Sequence, residues 1–433
     1  METLAHESST QQRSNPFPGL RPFHREEKDL YFGRDNQVKE VLDKLMRHRF
    51  VAIIGVSGIG KSSFIYCGIL PKLEEAQESL EGLTYNSGQW ATLSLKPGSL
   101  PFTHLVQQVK AFSQSDSEIP DDQPETGLDA FSAYNLDWFL DQFKQRKAAD
   151  SLNSPNYLLF IDQFEEVFSL QKQKNPEEAR HFIHIIQALV NQTEVPIYVA
   201  ITMRSDFIGH CSQYPGFTEM INGSQFLIPY MTRQEKEAAI RQPILKSGGR
   251  ITDDLVNRIL QDVGNKLDQL PLMQHALMRT WDAWEKSGEA MMDEHHYDKI
   301  GGITDGLSRH ADEVFKTLKA NQVIACAKVF KAITKGNLRQ PTPLGKIAEI
   351  VSIPISEVKD IVEHFRRQEC GLLMPPPTTL LDHNSIIDIS HESLISNWEN
   401  LKTWAQEEDE SVRTFLRLDE SARLHQGKDT LME

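Results

Sequence analysis

Short apolar runs at Phe50–Ile54 (FVAII), Trp90–Leu95, Tyr157–Ile161 (YLLFI), Ile197–Ile201 (IYVAI) and Phe226–Ile228 punctuate the first half of the chain. Between them apolar residues recur at helical spacing, beginning with Val38, Val41, Leu42 and Leu45. Continuous runs of this length suit strands covered on both faces, as in a parallel sheet. Their alternation with helices predicts a doubly wound α/β domain. After residue 230 the period changes. Thr232 with Glu235 forms a capping-box pattern, and helical spacing then runs to about residue 335. Leu255, Ile259 and Leu260 mark one helix there, and Leu272, Leu277 and Trp281 another. From about 340 to 405 the pattern reads helix, helix, then two short strands around Pro375–Pro377, and a charged helix is expected over 407–425.

Length and charge refine this picture. At roughly 100–200 residues per domain, 433 residues imply about two to four folded units. With 46 Lys and Arg against 61 Asp and Glu, the formal charge is -15, which argues against nucleic acid as the main partner. No run approaches the ~20 apolar residues that cross a bilayer, and no membrane partner is expected. Four dispersed cysteines without metal-ligand spacing read as reduced thiols of a cytoplasmic protein. The expected boundaries are a disordered tail over 1–14, an α/β domain over 15–231 and an all-α helical domain over 232–336. A domain over 337–406, whose element order resembles a winged helix, and a C-terminal helix over 407–433 follow. Asn15–Phe23 (NPFPGLRPF) is too rich in Pro and Gly for a helix or central strand, and residues 114–128 read as an acidic loop.

One motif carries chemistry directly. Gly55-Val56-Ser57-Gly58-Ile59-Gly60-Lys61-Ser62, followed by Ser63, matches the phosphate-binding P-loop pattern, between an apolar strand and a helical one. Its glycines let backbone N–H groups turn toward a phosphate chain, Lys61 can reach the β- and γ-phosphates, and Ser62 can ligate Mg²⁺. A nucleoside polyphosphate with Mg²⁺ is therefore the expected ligand. Asp162, closing the run Tyr157–Ile161, is expected on a strand neighbouring the P-loop strand, where it helps hold the metal. Glu165 or Glu166 can polarise a water, and nothing in the spacing chooses between them. Arg204, after Ile197–Ile201, either senses the γ-phosphate or pairs with Asp206. Asp293 and Glu294-His295-His296 offer metal-ligand residue types, but adjacent helical histidines face apart and a solvated face is expected.

Asn15–Phe23, Phe32–Asp35 (FGRD), the P-loop, Ile161–Phe168 (IDQFEEVF) and Thr202–Phe207 (TMRSDF) occur in that order. Leu270–Leu277 (LPLMQHAL), Gly301–Ile303 and Ile389–Leu394 (ISHESL) follow. Together these motifs resemble the bacterial novel STAND NTPases, signal-transduction P-loop NTPases often fused to repeats. The resemblance implies that Phe32, Gly33 and Arg34 lie against adenine and ribose and that Pro271 packs on the base or sugar. It implies that His391 contacts the β-phosphate of ADP. Lys96-Pro97-Gly98 stands where relatives often have Arg-Pro-Gly. The implied activity is a switch with slow hydrolysis, closed with ADP and opening or self-oligomerising with ATP, coupled to a fused or separate sensor or effector. Rival readings are a ring-forming ATPase doing mechanical work, an ATP-regulated DNA-binding transcription factor, and a nucleotide-binding scaffold without hydrolysis.

Overall fold

The apolar runs become the centre of a five-stranded sheet: β1 (Phe50–Gly55), β2 (Trp90–Leu95), β3 (Asn156–Ile161), β4 (Ile197–Arg204) and β5 (Gln225–Leu227). The computed structural model describes residues 13–75, 90–98, 100–113, 133–149, 155–169, 176–264, 269–336, 338–367 and 370–429. The acidic loop expected at 114–128 and most of the expected tail lie outside them. The chain divides into two units, Phe23–Ala239 and a second made of Ile240 onward with the segment ending at Pro22.

In the first unit every strand pairing is parallel, in the order β2-β3-β4-β1-β5. Alternation along β1 explains why its run is continuously apolar. Phe50, Ala52 and Ile54 face a core with residues of helices Pro101–Ser113, Leu136–Ala149 and Pro176–Asn191. Val51 and Ile53 face another, with helix Asp35–His48 and the helical run that starts at Lys61. Each of these buried Phe, Ile and Val side chains contributes about 1.5–3 kcal/mol. The order corrects one expectation. β3, the strand that ends before Asp162, is not the neighbour of β1, because β4 lies between them.

The second unit is helical through Asp253–Val263, Gln269–Ser287, Glu294–Ile300, Gly302–Phe315 and Ala320–Ala332. Asn15 Nδ2 donates to the carbonyl of Met278 (2.9 Å) and to Asp282 Oδ1 (2.8 Å), so the Pro/Gly-rich segment is fastened to helix Gln269–Ser287. Residues 15–22 group with this unit. His275 and His310 meet inside at 2.9 Å, and burial pushes both imidazoles down, to about 3 and about 2.

Beyond Ala332 come a two-stranded pair, β6 (Thr334–Lys335) with β7 (Leu338–Arg339), and a three-stranded antiparallel sheet ordered β8-β10-β9. Its strands are β8 (Thr342–Pro343), β9 (Leu373–Met374) and β10 (Ile386–Ile389), with helices Leu344–Val351 and Ile355–Arg366 between β8 and β9. The last helix runs Glu399–Asp429, so it starts inside the range expected to end at 406. Trp398 just before it is fully buried, with its ring 5.1 Å from Phe330 and 5.3 Å from Trp404. That anchor sets the helix start.

The solvated face expected at Glu294-His295-His296 is also corrected. His296 is buried, its Nδ1 accepts from Asp293 N–H at 3.1 Å, and the two imidazole centroids are 3.8 Å apart. Nδ1 spends its lone pair on the cap, so neutral His296 carries its proton on Nε2, which lies 3.0 Å from Ser287 Oγ. Glu289 approaches both rings, yet His296 can lend Nε2 to a metal only by giving up the cap.

Candidate phosphate-binding site

The P-loop connects β1 to a helical run that is α over Lys61–Ser63, π over Phe64–Ile69 and α again over Leu70–Glu75. Gly58 and Gly60 have φ of +75° and +91°. At Gly60 no neighbour would obstruct a Cβ, so the requirement for glycine is the backbone conformation itself. The loop then turns back over its own carbonyls. Lys61 Nζ donates to the carbonyls of Gly55 and Val56, both at 2.9 Å. Burial lowers the Lys61 pKa, opposed chiefly by the charge of Glu165.

Ser62 Oγ stands 3.1 Å from each carboxylate oxygen of Asp162. A hydroxyl and a carboxylate at that spacing form a hard oxygen donor set suited to Mg²⁺. The intervening strand makes the meeting of β1 and β3 ends possible. Thr202, on β4 and fully buried, donates its hydroxyl to Asp162 Oδ1 at 2.6 Å.

The two glutamates separate by environment. Glu166 accepts from the backbone N–H of Gly98 at 2.9 Å, tying it to Lys96-Pro97-Gly98. Glu165 Oε2 accepts from Arg204 N–H at 3.2 Å. Burial raises its pKa, against the lowering effects of backbone hydrogen bonds and Lys61. The Arg204 guanidinium pairs with Asp206 (2.9 Å), so the ion-pair alternative is realised in this structure. With Asp206 half exposed, such a pair contributes about 0–1 kcal/mol and is readily exchanged.

Of the residues implied by resemblance, Phe32 lies in the loop before helix Asp35–His48. A Cβ on Gly33, whose φ is +88°, would sit 2.5 Å from the Glu235 carbonyl oxygen. Arg34 is 3% exposed and donates to the Pro229 carbonyl at 2.7 Å. These two residues thus fit their loop against the segment after β5. Pro271 occupies the first turn of helix Gln269–Ser287, where its missing N–H costs nothing. His391 follows β10, and its Nδ1 accepts from Ser393 N–H at 3.1 Å. Pro271 and His391 belong to the second unit and are described by these local contacts.

Three features were missed from the sequence: Thr202 itself, the left-handed backbone of Gln163 (φ +56°) and the bond from Phe23 N–H to Ser63 Oγ (3.1 Å). A Thr in an otherwise apolar run, two residues before the strand-terminal Arg204, was the available signal for the first.

No curated protein matches the chain. Among solved structures it is similar to the ORC1 protein of Aeropyrum pernix in complex with DNA, at 14% identity over 89% of this chain and 95% of that one, with a TM-score of 0.44. It is also similar to a Walker-type ATPase of Pyrococcus abyssi, at 10% identity over 87% and 98%, with a TM-score of 0.43. A third is the Aeropyrum pernix ORC2 protein in ADPNP and ADP complexes, at 12% identity over 87% and 94%, with a TM-score of 0.44. Among the described residues no helix is long and apolar enough to cross a membrane. The model of the family described as Novel STAND NTPase 1 matches residues 16–431, and the chain belongs to that family of P-loop NTPases.

Proposed function

We propose that the chain is an ATP/ADP-dependent switch that hydrolyses ATP slowly, stays closed with ADP and opens or self-associates with ATP. The observation that carries this reading is the convergence of Lys61, Ser62, Asp162 and Glu165 at the C-terminal edge of one parallel sheet. Ser62 and Asp162 would hold Mg²⁺, which supplies charge neutralisation for the β- and γ-phosphates when nucleotide is bound. Lys61, drawn to loop carbonyls, exchanges them for phosphate oxygens, a stronger charge-assisted partner. Each glutamate accepts one backbone N–H, and Glu165 rather than Glu166 is the residue that orients the attacking water because it is partly desolvated beside Lys61. Glu165→Gln is expected to cut ATP turnover by about 100-fold or more while leaving nucleotide affinity within about threefold. Glu166→Gln is expected to change turnover much less. A single-turnover assay on both variants checks this, and equal losses would remove the assignment.

His391 supports the closing step chemically. With Nδ1 accepting from Ser393 N–H, the neutral ring carries its proton on Nε2, a donor for a phosphate oxygen. The three-domain reading, with a winged helix over 337–406, belongs to this proposal and draws on the strand–helix–helix–strand–strand order of β8 to β10. His391→Ala is expected to speed ADP release by about tenfold, one lost charge-assisted bond, and to raise self-association without ATP. An unchanged ADP off-rate and size profile would contradict it. Residues 321–406 carry as many acidic as basic side chains, which supports a regulatory role over DNA binding. Retention of duplex DNA at physiological salt would reverse that preference.

A further inference from the structure

Thr202 is a hydroxyl where the period of β4 calls for an apolar residue. Val199, Ile201 and Met203 point into one core, and Ala200 into the other. Ile161 pairs with Ile201, so the next residue of β4 stands level with Asp162, just past the end of β3. Thr202 is fully buried there. Desolvating a hydroxyl costs free energy unless it is bonded, and this one is bonded in both senses. It donates to Asp162 Oδ1 at 2.6 Å and accepts from Gln163 N–H at 3.0 Å. The Thr202 carbonyl accepts from Phe164 N–H at 2.8 Å.

One residue of the intervening strand therefore grips three consecutive residues of the acidic turn. The grip has a second consequence. Gln163 is held in the left-handed region, uncommon for a residue with a side chain, and its N–H is satisfied only by the Thr202 hydroxyl among its described partners. Two positions further along β4, Arg204 N–H holds Glu165. We infer that Thr202 is the positioning residue that fixes the Asp162 carboxylate and the turn behind it for Mg²⁺-nucleotide, a role that rests on the nucleotide reading above. Thr202 does not touch the nucleotide. It sets where a carboxylate oxygen points, and Mg²⁺ demands near-ideal octahedral geometry.

The test uses the full chain with Thr202→Val, which keeps the shape, Thr202→Ala, and Thr202→Ser, which keeps the hydroxyl. At fixed ATP, the Mg²⁺ concentration giving half-maximal tightening of nucleotide binding is expected to rise about tenfold in the Val and Ala variants. It stays within about twofold in Ser. Nucleotide affinity in EDTA is unchanged in all three. Without nucleotide, amide hydrogen exchange of the 162–166 turn quickens in Val and Ala but not in Ser. A Val variant with the wild-type Mg²⁺ midpoint, or a Ser variant displaced as far as Val, overturns the inference. Lys61→Ala separates the two levels. If it leaves ATP binding intact, the nucleotide reading falls, whereas the exchange experiment still decides whether Thr202 holds the turn.

Discussion

Lys61→Ala is expected to weaken ATP binding by about 100-fold or more, the largest loss of nucleotide affinity expected from a single substitution in the loop. The reasoning is electrostatic. Lys61 is bonded to the loop itself, through the carbonyls of Gly55 and Val56. Replacing those neutral acceptors with phosphate oxygens gives charge-assisted bonds in a partly desolvated site, at roughly 1.5–3 kcal/mol each. About 3 kcal/mol corresponds to two decades in Kd. Without nucleotide the variant loses only a lysine whose charged form burial already penalises, so its fold and melting temperature should stay close to those of the parent. Titration with a fluorescent ATP analogue measures the effect. Unchanged affinity would mean that phosphate binds elsewhere.

The largest stability effect is expected in the second unit, at Arg366. Its side chain is 1% exposed and its guanidinium is fully spent on the Pro-rich turn and its own helix. Nε donates to the Pro375 carbonyl at 2.8 Å, Nη2 to those of Pro376 and Thr379, and Nη1 to Glu363 at 2.8 Å. Arg366→Ala removes the shared donor of three carbonyls in a half-buried to exposed turn and leaves a cavity where the buried side chain lay against helix Ile355–Arg366. The cost is about 2–4 kcal/mol, from lost packing and hydrogen bonds of a buried side chain. That lowers the melting transition of this unit by on the order of 10 °C. Arg366→Lys recovers little, because an ammonium cannot span the fork of carbonyls. Calorimetry resolves the transition, and a shift under about 2 °C would show that the turn is held by other contacts.

How much of this could be read from sequence follows from what each feature depends on. β1, β3 and β4 are buried on both faces, so apolar continuity marked them to within a residue or three of their ends. Lys61, Ser62 and Asp162 could be singled out because the P-loop pattern and an Asp closing an apolar run are local signals, and the structure brings Ser62 Oγ to 3.1 Å from Asp162. Strand order was not, because parallel strands are joined by crossovers whose path no local pattern records. That β3 lies beyond β4 rather than beside β1 therefore came only with the structure, and with it the part played by Thr202. The choice between Glu165 and Glu166 was closed to sequence for a related reason. Their surroundings are set by Gly98 and Arg204, distant in the chain, each offering one backbone N–H. His296 misled because its buried ring caps a helix through Asp293 N–H, a contact that charge and periodicity do not reveal. Asn15–Phe23 announced that it was neither helix nor strand, but not that Asn15 would fasten on helix Gln269–Ser287.

A switch held closed by ADP should carry that nucleotide through purification, and the nucleotide on the purified chain tests it most directly. Protein prepared without added nucleotide, denatured and analysed by ion-exchange chromatography, should release ADP at close to one mole per mole. Lys61→Ala should release almost none. Protein that emerges nucleotide-free, yet binds and turns over ATP at or above ~1 s⁻¹, would contradict the account and identify a working ATPase instead.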